Sequence, residues 1–333
     1  MKNLVKALLL VILLTNCKQS KPTAVGSDVE LNPYNPIPKM ELLKKKNGKE
    51  ITKMHFLVFG DSKDNPPFKQ VLQRADSLHP DFCLTTGDIV SKGAGDQGIE
   101  DYKKLNQSLG WFLKKYPMWT VVGNHEVRGG DDGLQNFSNF YDITSGIYSF
   151  EYGNAKFIAL PWPKIKNDKK KLAILEKELK SANGKLIFVF KHRPHYDVGS
   201  KRYKDVEGSE TTVTKLFDKY MVAAVFSGHD HIYYRTKRNN TTYIISAGAG
   251  ATIYPLKREK DAIEGDAYYG RCWKDDLIKS EYKFVSSKGV TTNIVDPMYY
   301  LISVKIDGGK VEVEMIDAKT GKIWDNAIIS NNM

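Results

Sequence analysis

Hydrophobic positions along the 333-residue chain fall into three regimes. An unbroken apolar run covers residues 7–14, preceded and interrupted by Lys2 and Lys6, and its eight residues are far short of the ~20 that a spanning helix needs. Residues 18–50 are polar and broken by Pro22, Pro33, Pro36 and Pro38. They predict an extended tether in which no core begins. From residue 54 the pattern becomes regular. Residues 54–59 read as a buried strand, and the helix that follows places Phe68, Val71, Leu72, Ala75 and Leu78 on one face. A strand at 82–86, a Gly-rich loop, a helix carrying Ile99, Tyr102, Leu105, Phe112 and Leu113, and a strand at 118–122 continue the alternation. Such alternation predicts a mainly parallel sheet covered by helices.

Antiparallel pairing enters at residues 147–150 and 156–160, which flank the turn signal Tyr152-Gly153-Asn154. Asp168 is placed to cap a helix with Leu172, Leu175 and Leu179, closed by Asn183-Gly184. Strands are expected at 186–190, 222–226, 243–246, 299–306 and 310–315, with a helix near 212–220. Residues 257–297 are charged and aperiodic and stay unassigned.

Composition narrows the class. A hydrophobic fraction of 41% is that of a globular protein and excludes wholesale disorder, collagen and coiled coil. Three Cys exclude a disulfide-stapled scaffold and a Cys-rich zinc module. The net charge is +11, from 50 Lys+Arg against 39 Asp+Glu. Only eight of those cations are Arg, and no Arg-aromatic interleaving or recognition motif accompanies them, so no specific nucleic-acid binding is expected.

The chemistry gathers at predicted strand ends: Gly60-Asp61, Gly87-Asp88, Gly123-Asn124-His125-Glu126, Lys191-His192 and Gly228-His229-Asp230-His231. In an open α/β sheet the carboxyl ends of the strands face one crevice, where residues distant in sequence converge. A glycine opening four of these five segments is expected to let the backbone turn sharply. Carboxylate, amide and imidazole donors without thiolate suit Mn, Fe or Zn. Of the seven His, His55 and His79 read as merely hydrogen-bonded. His195, in Arg193-Pro194-His195-Tyr196, follows an expected ligand and has the reach of a substrate contact.

In order and spacing these motifs resemble the calcineurin-like metallophosphoesterase superfamily, and the flanking text, Tyr116-Pro117 before the Asn-His-Glu motif and Lys191-His192-Arg193-Pro194, resembles its purple-acid-phosphatase-like branch. The resemblance implies an αββα sandwich: two mixed β-sheets flanked by helices, with the metal site at strand C-terminal ends, over residues 51–333. Residues 298–333 are expected to finish the second sheet. It also implies one or two metals per chain (Mn, Fe or Zn), with Asp88 bridging, Asn124, His192 and His229 on one ion, and Asp61 and His231 on the other. His125 would protonate the leaving group of a phosphoester substrate or steady the transition state. The alternative is a non-catalytic surface binding protein or adhesin with a degraded site.

Two departures from the family pattern stand out. The usual Asp-x-His motif is Asp61-Ser62-Lys63 here, and the Tyr that the purple-acid-phosphatase branch places three residues after the bridging Asp is Ser91. Lys63 is therefore open to three readings: a solvated loop residue, a cation replacing the missing metal's charge, or a phosphate contact. At the N-terminus, Leu14-Thr15-Asn16-Cys17 resembles the lipobox of bacterial lipoproteins, with Asn16 in place of the usual small residue. That implies a signal peptide over 1–16, acylated Cys17, a flexible tether over 17–50, and an exported protein at the outer membrane, facing the periplasm or the cell surface. The alternative is a plain signal peptide.

Overall fold

The computed structural model describes residues 34–330 apart from 49, 162–167, 200–205, 207, 209–210 and 274–280. The expected signal peptide over 1–16, Cys17 and the expected tether up to residue 33 lie outside the described residues.

In chain order the elements are α1 (Pro36–Asn47), β1 (Lys53–Phe59), α2 (Phe68–Ser77), β2 (Phe82–Thr85), α3 (Gly95–Lys115), β3 (Met118–Trp119), α4 (Gly133–Tyr141), β4 (Tyr148–Tyr152), β5 (Ala155–Leu160), α5 (Lys169–Lys180), β6 (Leu186–Lys191), α6 (Thr212–Lys219), β7 (Ala224–Ser227), β8 (Tyr233–Arg238), β9 (Thr241–Ser246), β10 (Ala267–Arg271), β11 (Tyr282–Val285), β12 (Thr291–Ile294), β13 (Tyr300–Asp307), β14 (Lys310–Asp317) and β15 (Ile323–Ser330). They build a six-stranded sheet, β15-β14-β13-β1-β2-β3, and a nine-stranded sheet, β12-β11-β10-β8-β9-β7-β6-β5-β4. Strands β1, β2 and β3 run parallel, as do β5, β6, β7 and β9, and antiparallel strands extend both sheets. Both sheets are mixed.

The period of two along each strand decides which side chains meet. On β5 and β6, Phe157, Ala159, Leu186, Phe188 and Phe190 point between the sheets. Their neighbours Ile158, Leu160, Ile187 and Val189 point outward, where Leu175 and Leu179 of α5 and Val213, Leu216 and Phe217 of α6 cover them. Between the sheets, Phe56 of β1 meets Phe157 and Phe188 edge to face at 5.2 and 5.4 Å. Phe82 of β2 meets Phe157 at 5.1 Å. Edge-to-face rings add to the large apolar area they bury. On the outer side of the smaller sheet, Phe59 packs on Phe68 of α2.

Three expectations are corrected. The tether was expected to reach residue 50, but α1 already begins at Pro36 and belongs to the body, with Pro36 and Met40 buried and Tyr34 stacked on Phe140 at 4.2 Å. Proline in a first helical turn gives up no hydrogen bond. Pro36 and Pro38 start this helix, and the Asn35 side chain caps it by accepting from Ile37 N–H. The unassigned stretch 257–297 supplies β10, β11 and β12, an antiparallel extension of the larger sheet. Its edge strand β12 is largely exposed, so burial imposed no apolar alternation on it. The strands after residue 298 join β1, with Val58 opposite Ile302, and so complete the first sheet, not the second. Strand pairing is a tertiary choice that neither periodicity nor turn chemistry encodes here. Elements α4, β8 and β15 were not anticipated.

Candidate metal centre

Every expected ligand stands just past the carboxyl end of a parallel strand: Asp61 after β1, Asp88 after β2, Asn124 and His125 after β3, His192 after β6, and His229 and His231 after β7. The smaller sheet supplies the carboxylates and the amide, and the larger sheet supplies three imidazoles. Backbone bonds tie the loops together: Asp61 N–H to Gly87 O (3.0 Å), Lys63 N–H to Asp88 O (3.1 Å) and Gly228 N–H to His192 O (2.9 Å).

The glycines have a reason other than the expected one. Of Gly60, Gly87, Gly123 and Gly228 only Gly87 has positive φ, whereas the ligands Asp61, Asp88 and His229 themselves sit at φ 58°, 54° and 73°. Left-handed backbone costs a non-glycine residue about 1–2 kcal/mol. The other three glycines make room. A Cβ at Gly123 would lie 2.3 Å from Asp88 Oδ1, and one at Gly228 would lie 2.3 Å from Asp61 Oδ2.

Around His192 the donors converge. Its Nδ1 faces the Thr86 carbonyl at 2.8 Å. A carbonyl only accepts, so Nδ1 carries the proton and Nε2 presents a lone pair. That Nε2 lies 3.0 Å from Asn124 Oδ1, 3.1 Å from His229 Nδ1 and 3.4 Å from Asp88 Oδ1. On the other side, His231 Nδ1 faces the Thr252 carbonyl at 2.9 Å, and the ring stacks on Tyr254 at 4.0 Å between centroids. Its Nε2 lies 3.4 Å from Asp61 Oδ1 and 3.1 Å from Lys63 Nζ. His229 N–H donates to both Asp61 oxygens, at 3.1 and 3.0 Å. His125 borders both sides. Its N–H donates to Asp88 Oδ1 (2.8 Å), its Nδ1 faces Ser91 O (2.6 Å), and its Nε2 is 3.7 Å from Asp88 Oδ2.

The electrostatics fit a cation. Asp61, Asp88 and His192 are buried and offer ligand atoms all within 4.8 Å of one another. Burial, and next the Asp61 charge, push the Asp88 carboxyl above the ordinary carboxylate range, with His125 and Lys63 opposing. Burial holds His192 below the ordinary imidazole value against the pull of Asp61. It is thus neutral and able to ligate. Neighbouring buried carboxylates facing neutral imidazoles and an amide oxygen make an acceptor-rich cluster, which a metal ion neutralises.

A family model described as calcineurin-like phosphoesterase matches residues 54–233, more than half of the chain. The chain belongs to the calcineurin-like phosphoesterase family. Within the family it is similar to purple acid phosphatase 23 of Arabidopsis thaliana, 25% identical over an alignment of 157 residues that covers 42% of this chain and 34% of that protein. Among solved structures it resembles a purple acid phosphatase from seeds of yellow lupin, Lupinus luteus (TM-score 0.63, 15% identity), over 85% of this chain and 54% of the other. It also resembles a Plasmodium protein described as the anchor in the inner membrane complex (TM-score 0.58, 15% identity), over 85% of this chain and 90% of the other. The chain thus spans about a third of the Arabidopsis relative and about half of the lupin one.

The phosphoesterase fold brings Asp61, Asp88, Asn124, His125, His192, His229 and His231 together, with Lys63 among them. His195 is grouped elsewhere. Its ring nitrogens face Lys191 Nζ and Gly208 O, both at 3.1 Å, and the ring packs edge-on against Phe217 and Tyr243. The expected substrate contact is buried there, and it also lines a cavity together with Tyr196, Asp197, Tyr234 and Arg238. His55, as expected, is hydrogen-bonded, to Ser303 Oγ at 3.0 Å.

Sequence reasoning quoted Glu126 but gave it no task. Its fully buried carboxylate accepts from Gly123 N–H (2.6 Å), Asp88 N–H (2.9 Å) and Ile89 N–H (2.9 Å), fastening the β2 loop to the β3 loop. A Glu two positions past a ligand, in a segment buried enough to orphan backbone donors, was the available signal. Thr86 and Thr252, which orient two imidazoles through their carbonyls, leave no such mark, because any residue offers a carbonyl.

Proposed function

We propose that this chain is a metal-dependent hydrolase of phosphate esters, exported and held at a membrane surface through Cys17. The observation that carries the catalytic part is the meeting of His192 Nε2 with Asn124 Oδ1, His229 Nδ1 and Asp88 Oδ1 within 3.4 Å. Those four residues would hold Mn, Fe or Zn, with Asp61 and His231 beside them. When bound, such an ion polarises phosphoryl oxygens and acidifies water at neutral pH. The chain's own groups do the rest. Thr86 O and Thr252 O fix which nitrogen of His192 and His231 faces inward. Ser91 O takes the Nδ1–H of His125 and so turns Nε2 toward Asp88; in the imidazolium form Nε2 carries the second proton, which would serve a leaving oxygen.

Support for the phosphoester class comes from family membership and from the purple acid phosphatases it resembles. The exported, lipid-anchored location rests on the N-terminal sequence alone. The test of activity is hydrolysis of a chromogenic aryl phosphate and a diester with added Mn(II) or Fe(II), by the native chain and by His229→Ala. Turnover that disappears in the variant supports the reading. Equal inertness of the two, with the native chain fully metal-loaded, sinks it and favours the non-catalytic binding protein.

A further inference from the structure

We propose that Lys63 occupies the place of the second cation, so that the centre takes one metal ion, at Asp88, Asn124, His192 and His229. The inference rests on the metal-dependent reading above and deepens it. An ion on the Asp61 side would need the His231 Nε2 lone pair, because His231 Nδ1 is committed to the Thr252 carbonyl. Lys63 Nζ already takes that lone pair at 3.1 Å. The ring cannot turn away cheaply, since it is stacked on Tyr254.

The lysine backbone is fixed over the centre from both sides. Its N–H donates to Asp88 O, its carbonyl accepts from Ser91 Oγ at 3.2 Å, and its φ is 50°. Ser91 is the position where a further metal ligand would be expected, and its hydroxyl instead holds the lysine. The remaining carboxylate, Asp61, accepts from His229 N–H through both oxygens and has a ligand atom within 4.8 Å of those of Asp88 and His192, toward the side of the single ion. Charge points the same way. An ammonium and one divalent ion already outweigh the Asp61 and Asp88 carboxylates, and a second divalent ion would have to settle beside the ammonium. Unlike charges are thereby matched by a covalently attached cation that cannot be chelated away.

The test loads the purified full chain with excess Mn(II), removes loose ion by desalting, and reads bound Mn by elemental analysis and by electron paramagnetic resonance. The native chain should keep one equivalent, with the resolved hyperfine pattern of an isolated Mn(II). Lys63→His restores an imidazole at a left-handed position that histidine tolerates better than most residues, and should raise the content to two equivalents with a spin-coupled spectrum. Lys63→Ala, a second variant checked for folding by circular dichroism, should admit the second ion more weakly. Two tight equivalents in the native chain, or a single equivalent in both folded variants, overturns the inference and leaves the hydrolase reading standing. A native chain that binds no Mn and hydrolyses no aryl phosphate overturns both.

Discussion

The two halves of the centre are built to different rules. On the His192 side the inward atoms are all of metal-ligating type: an imidazole lone pair, an amide oxygen, a second imidazole nitrogen and a carboxylate oxygen. On the His231 side the imidazole lone pair meets an ammonium hydrogen from Lys63. The fold supplies both halves alike, with ligands at strand ends, carbonyls that fix the tautomers, and left-handed Asp61, Asp88 and His229. What differs is one side chain. The comparison teaches that a shared scaffold does not impose shared occupancy, and that a centre's cation count is set by the residues at its rim.

The largest effect should follow from striking the acceptor-rich half. His192→Ala should lower aryl phosphate turnover by about 10³-fold or more, together with loss of bound metal, read by steady-state kinetics and elemental analysis on the same sample. Next, His125→Gln should lower kcat by about 10²-fold, the scale of a lost general acid, and leave metal content intact. If metal is lost as well, His125 belongs to the ligand set. His231→Ala, on the lysine side, should cost less, about tenfold, since the retained ion loses no direct ligand. A loss equal to that of His192→Ala would erase the distinction between the halves. Glu126→Gln keeps the shape but turns an amide toward a backbone N–H. It should lower stability by about 1–3 kcal/mol, seen in chemical denaturation, before it affects turnover.

The smallest effect provides a control outside both halves. His55, toward the other end of β1, has its pKa lowered to about 4, first by burial and then by Lys305. The folded chain therefore binds fewer protons there than the unfolded chain between about pH 4 and 6.5. Stability should rise with pH across that window and fall as the pH drops through it. His55→Gln should flatten this dependence in denaturation curves while leaving metal content unchanged, which separates global unfolding from ligand loss.

Much of this was readable in the chain because the chemistry sits at strand ends and strands announce themselves. Gly-Asn-His-Glu and Gly-His-Asp-His, with Asp61, Asp88 and His192 at three further strand ends, placed five loops at one edge, and the structure brings those residues together. The glycines were noticed for the wrong reason: Gly123 and Gly228 clear space for a neighbour's carboxylate, which no local rule reveals. Helix α1 was missed because proline was read as a mark of extended chain, when at Pro36 and Pro38 it begins a helix. The placement of β13 beside β1 depends on which edge of a sheet lies open, a fact that exists only after folding. Lys63 was the informative ambiguity: three roles were open in the sequence, and its 3.1 Å approach to His231 is the observation on which the second-cation proposal is built.

The carboxylate of Glu126 accepts from three backbone donors across two loops. The course of those loops is thus anchored by the polypeptide itself. In evolutionary terms, ligand identity and loop shape become separately heritable. A coordinating side chain can then be exchanged while the same cleft is still presented.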